Sequence, residues 1–234
     1  MKEIELKTIK DFHNRLEYYR KTSWFKFRGQ SDISWKLHPK AGRPPYSKVS
    51  DESLFFHWKR RAIAHLEKDL KSDWELLAVA QHTGLPTRFL DWTHNPLVAA
   101  FFAASENEDK DGAIFVYHPN KVIDNKTETP FNLTDKKNKI GFHQPNSSSS
   151  RIINQLGYFS VHSEPALCLD DETKDGQLEK IIIKKELKKE LFFMLNQYGI
   201  NYLTLFPDLE GLSKHLGWFA ENYEFWDNTF EDEL

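Results

Sequence analysis

The segment from Gln81 to Ser105, QHTGLPTRFLDWTHNPLVAAFFAAS, places polar and titratable side chains between two apolar runs. Five such side chains fall within twelve positions of it: His82, Arg88, Asp91, Trp92 and Thr93. Buried charges need partners or a ligand to offset the cost of leaving water. An aromatic ring beside arginines is also a surface on which a flat base stacks. The pattern predicts the wall of a pocket for a charged, planar ligand and favours a nucleotide.

Each of these side chains also has an ordinary structural explanation. His82 could cap a helix, because the helix dipole favours a cation at the C-terminus. Arg88 and Asp91 lie three positions apart and could form an ion pair, and Trp92 could belong to the core. The rigid turn at Gly84–Pro86 fixes all of these side chains near one another. Separate structural roles explain each residue by itself, but they explain the whole cluster less well.

A second candidate is the stretch FKFRGQSD, in which Arg28 precedes a glycine at the end of a strand-like pattern. A guanidinium group presents a planar fork of donors that matches a phosphate. Gly29 would let a ligand approach the backbone, and Gln30 could hydrogen-bond a base or a ribose. The alternative is a surface or ion-paired arginine, for which the odds are about even when this stretch is taken alone.

A third candidate is RIINQLGYFSVHSE, in which polar residues flank a predicted strand. Gln155 and Tyr158 precede or begin the strand and Glu164 follows it. A helix-to-strand transition with ordinary polar ends explains this stretch equally well when it is taken without context.

Composition limits the class of protein. The 234 residues suit one domain with an insert, and the net charge of −3 excludes a basic coat for sequence-independent nucleic-acid binding. The single cysteine, Cys168, allows no internal disulfide and no thiolate metal site. The first residues carry no long apolar run, so we expect a cytoplasmic protein with no membrane partner.

Well-known phosphate-binding and catalytic motifs are missing from the sequence. It contains no P-loop, no dinucleotide-binding glycine fingerprint, no zinc-protease helix motif and no nucleophile elbow. The histidines, 10 in number, are scattered without metal-ligand spacing, so we expect no metal.

Apolar periodicity and capping residues predict an α+β fold: a single domain with mixed or antiparallel sheets and flanking helices. The predicted helices are Ile9–Tyr19, 50–70, 72–81, one from Pro96, one ending at Gln197 and a last one before 217. The predicted strands lie near 24–28, 89–90, 112–117, 158–162, 180–183 and after Gly199. We assign residues 1–220 to the domain, 119–150 to a polar, mobile insert and 221–234 to an acidic tail.

Four stretches of the chain resemble the FRG domain family. FRGQSD with WKLHPKAGR is similar to the motif that names the family, and QHTGLPTRFLDWTHNPLVAAFFA is similar to its longest signature. RIINQLGYFSVH and GINYLTLFPDLEGLSKHL resemble its later elements, so the likeness runs from about 24 to 217. The family resemblance implies a bacterial or phage-associated protein of a defence or toxin system, with an antitoxin or defence-system partner.

The order of the motifs is also similar to that of ADP-ribosyltransferases, which implies a split sheet and NAD as substrate. In that resemblance Arg28 holds the phosphates, and Thr93 is the hydroxyl ahead of a small-residue helix. Gln155 falls where a carboxylate is expected. That carboxylate stabilises the positive charge that develops on the ribose, so Asp91, or else Glu164, would have to supply it.

Two functions follow from this resemblance. The first is an NAD-dependent ADP-ribosyltransferase with RNA or protein as acceptor. Arg28 and Arg88 would bind the pyrophosphate, Trp92 or Tyr158 would stack on the nicotinamide, and His82 would position or deprotonate the acceptor. The second is a non-catalytic module that binds a nucleotide or a nucleic acid in the same pocket.

Overall fold

The computed structural model of the chain is one seven-stranded sheet with helices packed against it. It describes residues 1–66, 70, 72–119, 122–133, 139–145, 155, 157–173 and 176–222. The strands are β1 (Lys2–Leu6), β2 (Lys26–Gln30), β3 (Phe89–Thr93), β4 (Gly112–Tyr117), β5 (Ile140–His143), β6 (Gly157–His162) and β7 (Leu178–Ile183). The helices are α1 (Ile9–Tyr19), α2 (Asp51–Ala62), α3 (Asp73–His82), α4 (Pro96–Ala104), α5 (Leu169–Glu172), α6 (Lys185–Gln197), α7 (Tyr202–Leu205) and α8 (Leu209–Asn222).

The strands follow the order β1-β7-β4-β2-β3-β6-β5 across the sheet. The pair β1–β7 is parallel, and the other neighbouring pairs are antiparallel. The sheet is therefore mixed, and the predicted α+β fold class is confirmed.

The sheet opens between its two central strands. β2 and β3 are in register only at Phe27 and Thr93, whereas β2 pairs with β4, and β3 with β6, over five positions each. Beyond that point Arg28 reaches across the opening, and its Nη1 donates a hydrogen bond of 2.7 Å to the carbonyl oxygen of Asp91. We call this opening the seam. Its likeness to the split sheet of ADP-ribosyltransferases stays a prediction.

Helix α4 packs closely on β2 and β4 because both sides of the contact are small. A Cβ added to Gly29 would lie 1.8 Å from the carbonyl oxygen of Ala99, and one on Gly112 would lie 2.3 Å from that of Ala103. Any side chain at either glycine would push the helix away from the sheet. The close approach that Gly29 permits is thus that of α4, whereas the sequence suggested the approach of a ligand.

Each half of the sheet has a core cluster of its own on one face. The first cluster joins α1, α4 and α6 to β1, β2, β4 and β7, and its largest fully buried side chains include Phe12 and Phe101. The second joins α2 and α3 to β3 and β6 around Phe55, Trp74 and Phe89. The opposite face of the sheet carries the third cluster, which includes Trp92. The seam lies where the first two clusters meet.

The predicted helix starts and stops agree well with the structure. Ser50, Ser72 and Asn95 are N-caps whose side chains accept backbone hydrogen bonds. Gly84 and Gly199 follow α3 and α6 with positive φ angles of 98° and 76°, as expected for residues that stop helices.

Five elements differ from the prediction, and one of them is the short helix α5, which was not predicted. Helix α2 ends at Ala62, since the apolar residues Leu66 and Leu70 reach the second core from outside it. A short helix, α7, stands where a strand was expected, because Asn201 and Thr204 form a capping box. Strand β1 was not predicted, and β5 lies inside the region assigned to a polar loop. Residues 120–121, 134–138 and 146–150 of that insert, and the tail after 222, lie outside the described residues.

Among the described residues, no helix has both the length and the apolar character needed to cross a membrane.

Candidate functional site

The seam opens into a cavity of about 330 Å³. Residues of β2, β3, α3 and α4 form its wall together with two residues from later in the chain. They are Phe27, Arg28, Gly29, Gln81, His82, Asp91, Trp92, Thr93, Val98, Phe102, Gln155 and Phe206. The volume lies at the lower end of the range for small-molecule sites, and charged, amide and aromatic groups all border it.

Alternation along β3 decides which side chains face the cavity. Leu90 and Trp92 belong to the third core, on the opposite face of the sheet. Asp91 lies between them and points to the other face. There 62% of its side chain is exposed. This exposed carboxylate lies beside the guanidinium of Arg28, with 3.9 Å between Arg28 Nη1 and Asp91 Oδ2.

A chain of hydrogen bonds fixes the orientation of Asp91. The hydroxyl of Thr87 donates to Gln81 Oε1, and Gln81 Nε2 in turn donates to Asp91 Oδ1 at 2.9 Å. Because Oε1 of the amide accepts from Thr87, the amide nitrogen is directed at the carboxylate. The turn at Gly84, after α3, returns the backbone so that Thr87 can reach Gln81.

Arg28 carries its charge in a poor environment for a cation. Its side chain is 18% exposed, and its nearest carboxylate oxygen is 3.9 Å away. Burial lowers the pKa of Arg28 to about 10, an effect that nearby Asp91 opposes and Arg43 reinforces. Within the described part of the chain, Nε of Arg28 is buried without a hydrogen-bond partner. An anion in the cavity would improve both its charge balance and its hydrogen bonding.

Thr93 and Gln155 lie together at the far end of the cavity. The Thr93 hydroxyl donates to the carbonyl oxygen of Gln155 at 2.6 Å and accepts from the backbone N–H of Asn95 at 3.0 Å. The Gln155 amide donates to the carbonyl oxygen of Leu205 at 3.2 Å. Thr93 thus organises the start of α4, and Gln155 places a neutral amide at this end of the cavity.

The structure corrects the placement of Arg88, which does not line the cavity. Its Nε and Nη2 each donate a hydrogen bond of 2.8 Å to the carboxylate of Asp51. Nη1 donates to the carbonyl oxygen of Ser163 at 3.0 Å, and the guanidinium lies 4.6 Å from the ring of Phe131. A buried arginine with these partners joins α2 to the strands and lies away from the wall of the cavity.

Two further side chains expected in the pocket belong to the core. The indole ring of Trp92 is 2% exposed and donates to Ser160 Oγ at 3.0 Å, so it offers no stacking surface to a ligand. Gln30 is 3% exposed, and its amide lies 3.5 Å from the carbonyl oxygen of Lys36. Gln30 follows Arg28 on the same face of β2, but it fastens the next loop instead of facing the cavity.

Glu164 and Tyr158 also lie outside the main cavity. Glu164 is exposed after β6 and lines none of the described cavities. The hydroxyl of Tyr158 lies 2.8 Å from His94 Nε2, and Lys26 Nζ lies 4.8 Å from the ring centroid. Asp91 is therefore the carboxylate that borders the cavity, and His82 borders it as expected.

Sequence reasoning missed five residues of the site: Phe27, Gln81, Val98, Phe102 and Phe206. Phe102 and Phe206 are half-buried at the cavity, with their ring centroids 6.1 Å apart and nearly perpendicular. Phe102 reads as core in an apolar helix, and Phe206 stands in a part of the chain without a chemical motif. Gln81 was detectable, because it opens the same signature segment that contains Thr87 and Asp91.

No group of three or more histidine, cysteine, aspartate or glutamate side chains in the described part of the chain could hold a metal ion.

Residues 23–112 match the family model described as FRG domain. The matched range contains ten of the twelve residues that line the cavity, all except Gln155 and Phe206. Comparison with curated proteins found no match, and comparison with solved structures found none either.

Proposed function

We propose that the chain binds NAD in the seam cavity and breaks the bond between nicotinamide and ribose. In this proposal the protein is an ADP-ribosyltransferase-like effector of a bacterial or phage defence system. The observation that carries it is the meeting of Arg28 and Asp91 at one cavity, from strands 63 positions apart in sequence.

Arg28 would bind the pyrophosphate of NAD. Its lowered pKa and the 3.9 Å distance to its nearest carboxylate oxygen both indicate a guanidinium whose charge would be stabilised by an added anion. A phosphate oxygen would supply a hydrogen-bond acceptor and a negative charge at the same time. Arg88 is excluded from this role because Asp51 and Ser163 already use its donors.

Asp91 would stabilise the positive charge that develops on the ribose as nicotinamide leaves. Gln81 holds one carboxylate oxygen at 2.9 Å, so the charge is oriented before the reaction begins. Such preorganised charges give large rate effects in active sites. Phe102 and Phe206 would form the aromatic wall for the nicotinamide ring, in place of the buried Trp92.

A second candidate function is binding of a nucleotide without catalysis. It is favoured by Gln155, whose neutral amide already bonds to Leu205. A site that keeps Arg28 but depends on an exposed aspartate for charge could retain affinity and lack turnover.

The test is titration of the protein with NAD in a calorimeter, followed by measurement of nicotinamide released on incubation. The proposal predicts binding and release by the wild type, and loss of release but retained binding in Asp91→Asn. The matched control is Asp109→Asn, which removes an exposed carboxylate away from the cavity and should leave both measurements unchanged. Binding without release by the wild type supports the second function, and absence of both overturns both.

A further inference from the structure

The seam cavity has a small neighbour on the other side of Asp91. This space, which we call the side chamber, has a volume of about 50 Å³. It shares Gln81, His82, Asp91, Trp92 and Gln155 with the main cavity and is otherwise lined by Ala78, Gly157, Tyr158 and Phe159. Asp91 thus borders both the main cavity, whose volume of about 330 Å³ suits half of a dinucleotide, and the side chamber of about 50 Å³.

The volume of the side chamber, about 50 Å³, matches a few water molecules or a very small alcohol. One water needs roughly 10–15 Å³ of such volume, together with two to four polar partners. The polar side chains that Gln81, His82, Asp91 and Gln155 supply are all on the wall shared with the main cavity. Of the other lining residues, Ala78, Gly157 and Phe159 are apolar, and the Tyr158 hydroxyl lies 2.8 Å from His94 Nε2, so a water would be held mainly by the shared polar groups, which include Asp91.

The exposure of Asp91 to solvent also favours a water molecule beside its carboxylate. Enzymes that transfer a group to a large acceptor exclude water to prevent hydrolysis. Here 62% of the Asp91 side chain is accessible to solvent.

We infer that the acceptor in the reaction is water, held in the side chamber, so that the chain acts as an NAD hydrolase. This inference rests on the proposed function. The water oxygen forms a bond to C1′ of the ribose, and the bond between C1′ and the nicotinamide nitrogen breaks with its electron pair leaving on nicotinamide. The water proton passes to the Asp91 carboxylate and then to solvent, which leaves ADP-ribose and nicotinamide as products.

The test compares how the released ADP-ribose is partitioned among acceptors. Wild-type protein is incubated with NAD in oxygen-18 water, with methanol, ethanol and propanol in separate samples and with RNA and cell lysate in others. We expect free labelled ADP-ribose in water and a methyl ether of ADP-ribose with methanol. Each further methylene should reduce the yield of the ether by on the order of tenfold, because the chamber cannot hold it.

An enlarged chamber gives an independent check. Ala78→Gly removes one methyl from the wall of the side chamber, so ethanol should compete better with water than it does in the wild type. The folded state of this variant is checked by circular dichroism. If Ala78→Gly does not fold, the alcohol series on the wild type still decides the matter.

The outcomes separate this inference from the proposed function. Nicotinamide release with ADP-ribose attached mainly to RNA or protein would overturn water as acceptor while leaving NAD cleavage intact. Equal yields of the methyl and propyl ethers would overturn the role of the side chamber. Absence of nicotinamide release would instead remove the proposed function on which the inference rests.

Discussion

Arg28 and Arg88 are two largely buried arginines whose surroundings differ in one respect. Arg88 makes two hydrogen bonds to the Asp51 carboxylate, whereas Arg28 bonds to a backbone carbonyl and lies 3.9 Å from Asp91. A buried charge that has a close partner is part of the framework, and one without such a partner awaits a ligand. The comparison teaches that the number of satisfied donors, more than burial, separates a structural arginine from a candidate binding arginine.

The largest expected effect comes from removing the carboxylate partner of the structural arginine, Arg88. Asp51→Ala leaves the Arg88 guanidinium buried without its carboxylate, which should lower the free energy of unfolding by about 3–5 kcal/mol. Urea denaturation followed by tryptophan fluorescence measures this loss. The double variant Asp51→Leu with Arg88→Met should recover much of the stability, and an unstable double variant would argue against the ion pair as the cause.

The next-largest effect is the pH dependence of the free energy of unfolding, and it comes from two buried histidines of the core. Burial lowers the pKa of His143 from 6.5 to about 4 and that of His162 to about 3. Between these values the unfolded chain binds protons that the folded chain does not, so stability is full above pH 6.5 and falls as the pH falls. Each histidine should remove on the order of 2 kcal/mol by pH 4.5.

Denaturant titrations at a series of pH values measure that slope. His143→Phe keeps a ring beside Trp74, which now lies 4.5 Å from the imidazole, and should flatten the dependence below pH 6.5. A slope unchanged in this variant would show that His143 does not contribute to it.

The third effect tests the ligand-binding side of the comparison. Arg28→Met should weaken NAD binding by about 1.5–3 kcal/mol, the range for a lost hydrogen bond to a charged group. Its free energy of unfolding should change little, because Arg28 has no close carboxylate to abandon. Calorimetry and urea denaturation on the same preparation give both numbers.

Arg60→Met, an exposed charge removal on α2, is the matched control for Arg28→Met and should bind NAD as the wild type does. The comparison would collapse if Arg28→Met lost as much stability as Asp51→Ala while keeping its affinity for NAD.

The smallest effect concerns Gln81, which acts through Asp91. Gln81→Leu removes the hydrogen bond that orients the carboxylate, so kcat for nicotinamide release should fall on the order of tenfold to a hundredfold. KM should change much less, because Arg28 still binds the phosphates. Thr87→Val, which loses the hydroxyl that orients the Gln81 amide, should show a weaker form of the same kcat defect. A KM effect alone would assign Gln81 to binding instead.

Local signals predicted much of the fold. The caps Ser50, Ser72 and Asn95 and the glycine stops follow from short-range hydrogen bonding and backbone freedom, which sequence records directly. Strand β1 escaped prediction because it is the edge strand beside β7 and is mostly exposed, so its apolar pattern is weak.

The site was predictable only in part for a similar reason. Arg28 was found from its own stretch, FKFRGQSD, and Asp91 and His82 were found because the segment from Gln81 is dense in polar and titratable residues. Arg88 stands in that same segment, yet its partner Asp51 lies 37 positions away, and no local pattern announces that pairing. Phe206 reaches the cavity from later still, through the packing of α7.

The single register pair between β2 and β3 affects how easily the two halves of the sheet separate. Each half has its own helices and its own apolar cluster, and backbone pairing between the halves is limited to Phe27 and Thr93. The seam can therefore open more easily on the face of these two clusters than on the opposite face, where the third cluster joins the halves through Trp92 and Tyr117, whose ring centroids are 5.8 Å apart. A ligand that contacts both Arg28 and Asp91 would hold the two halves of the sheet together. Amide hydrogen exchange would then slow in both halves.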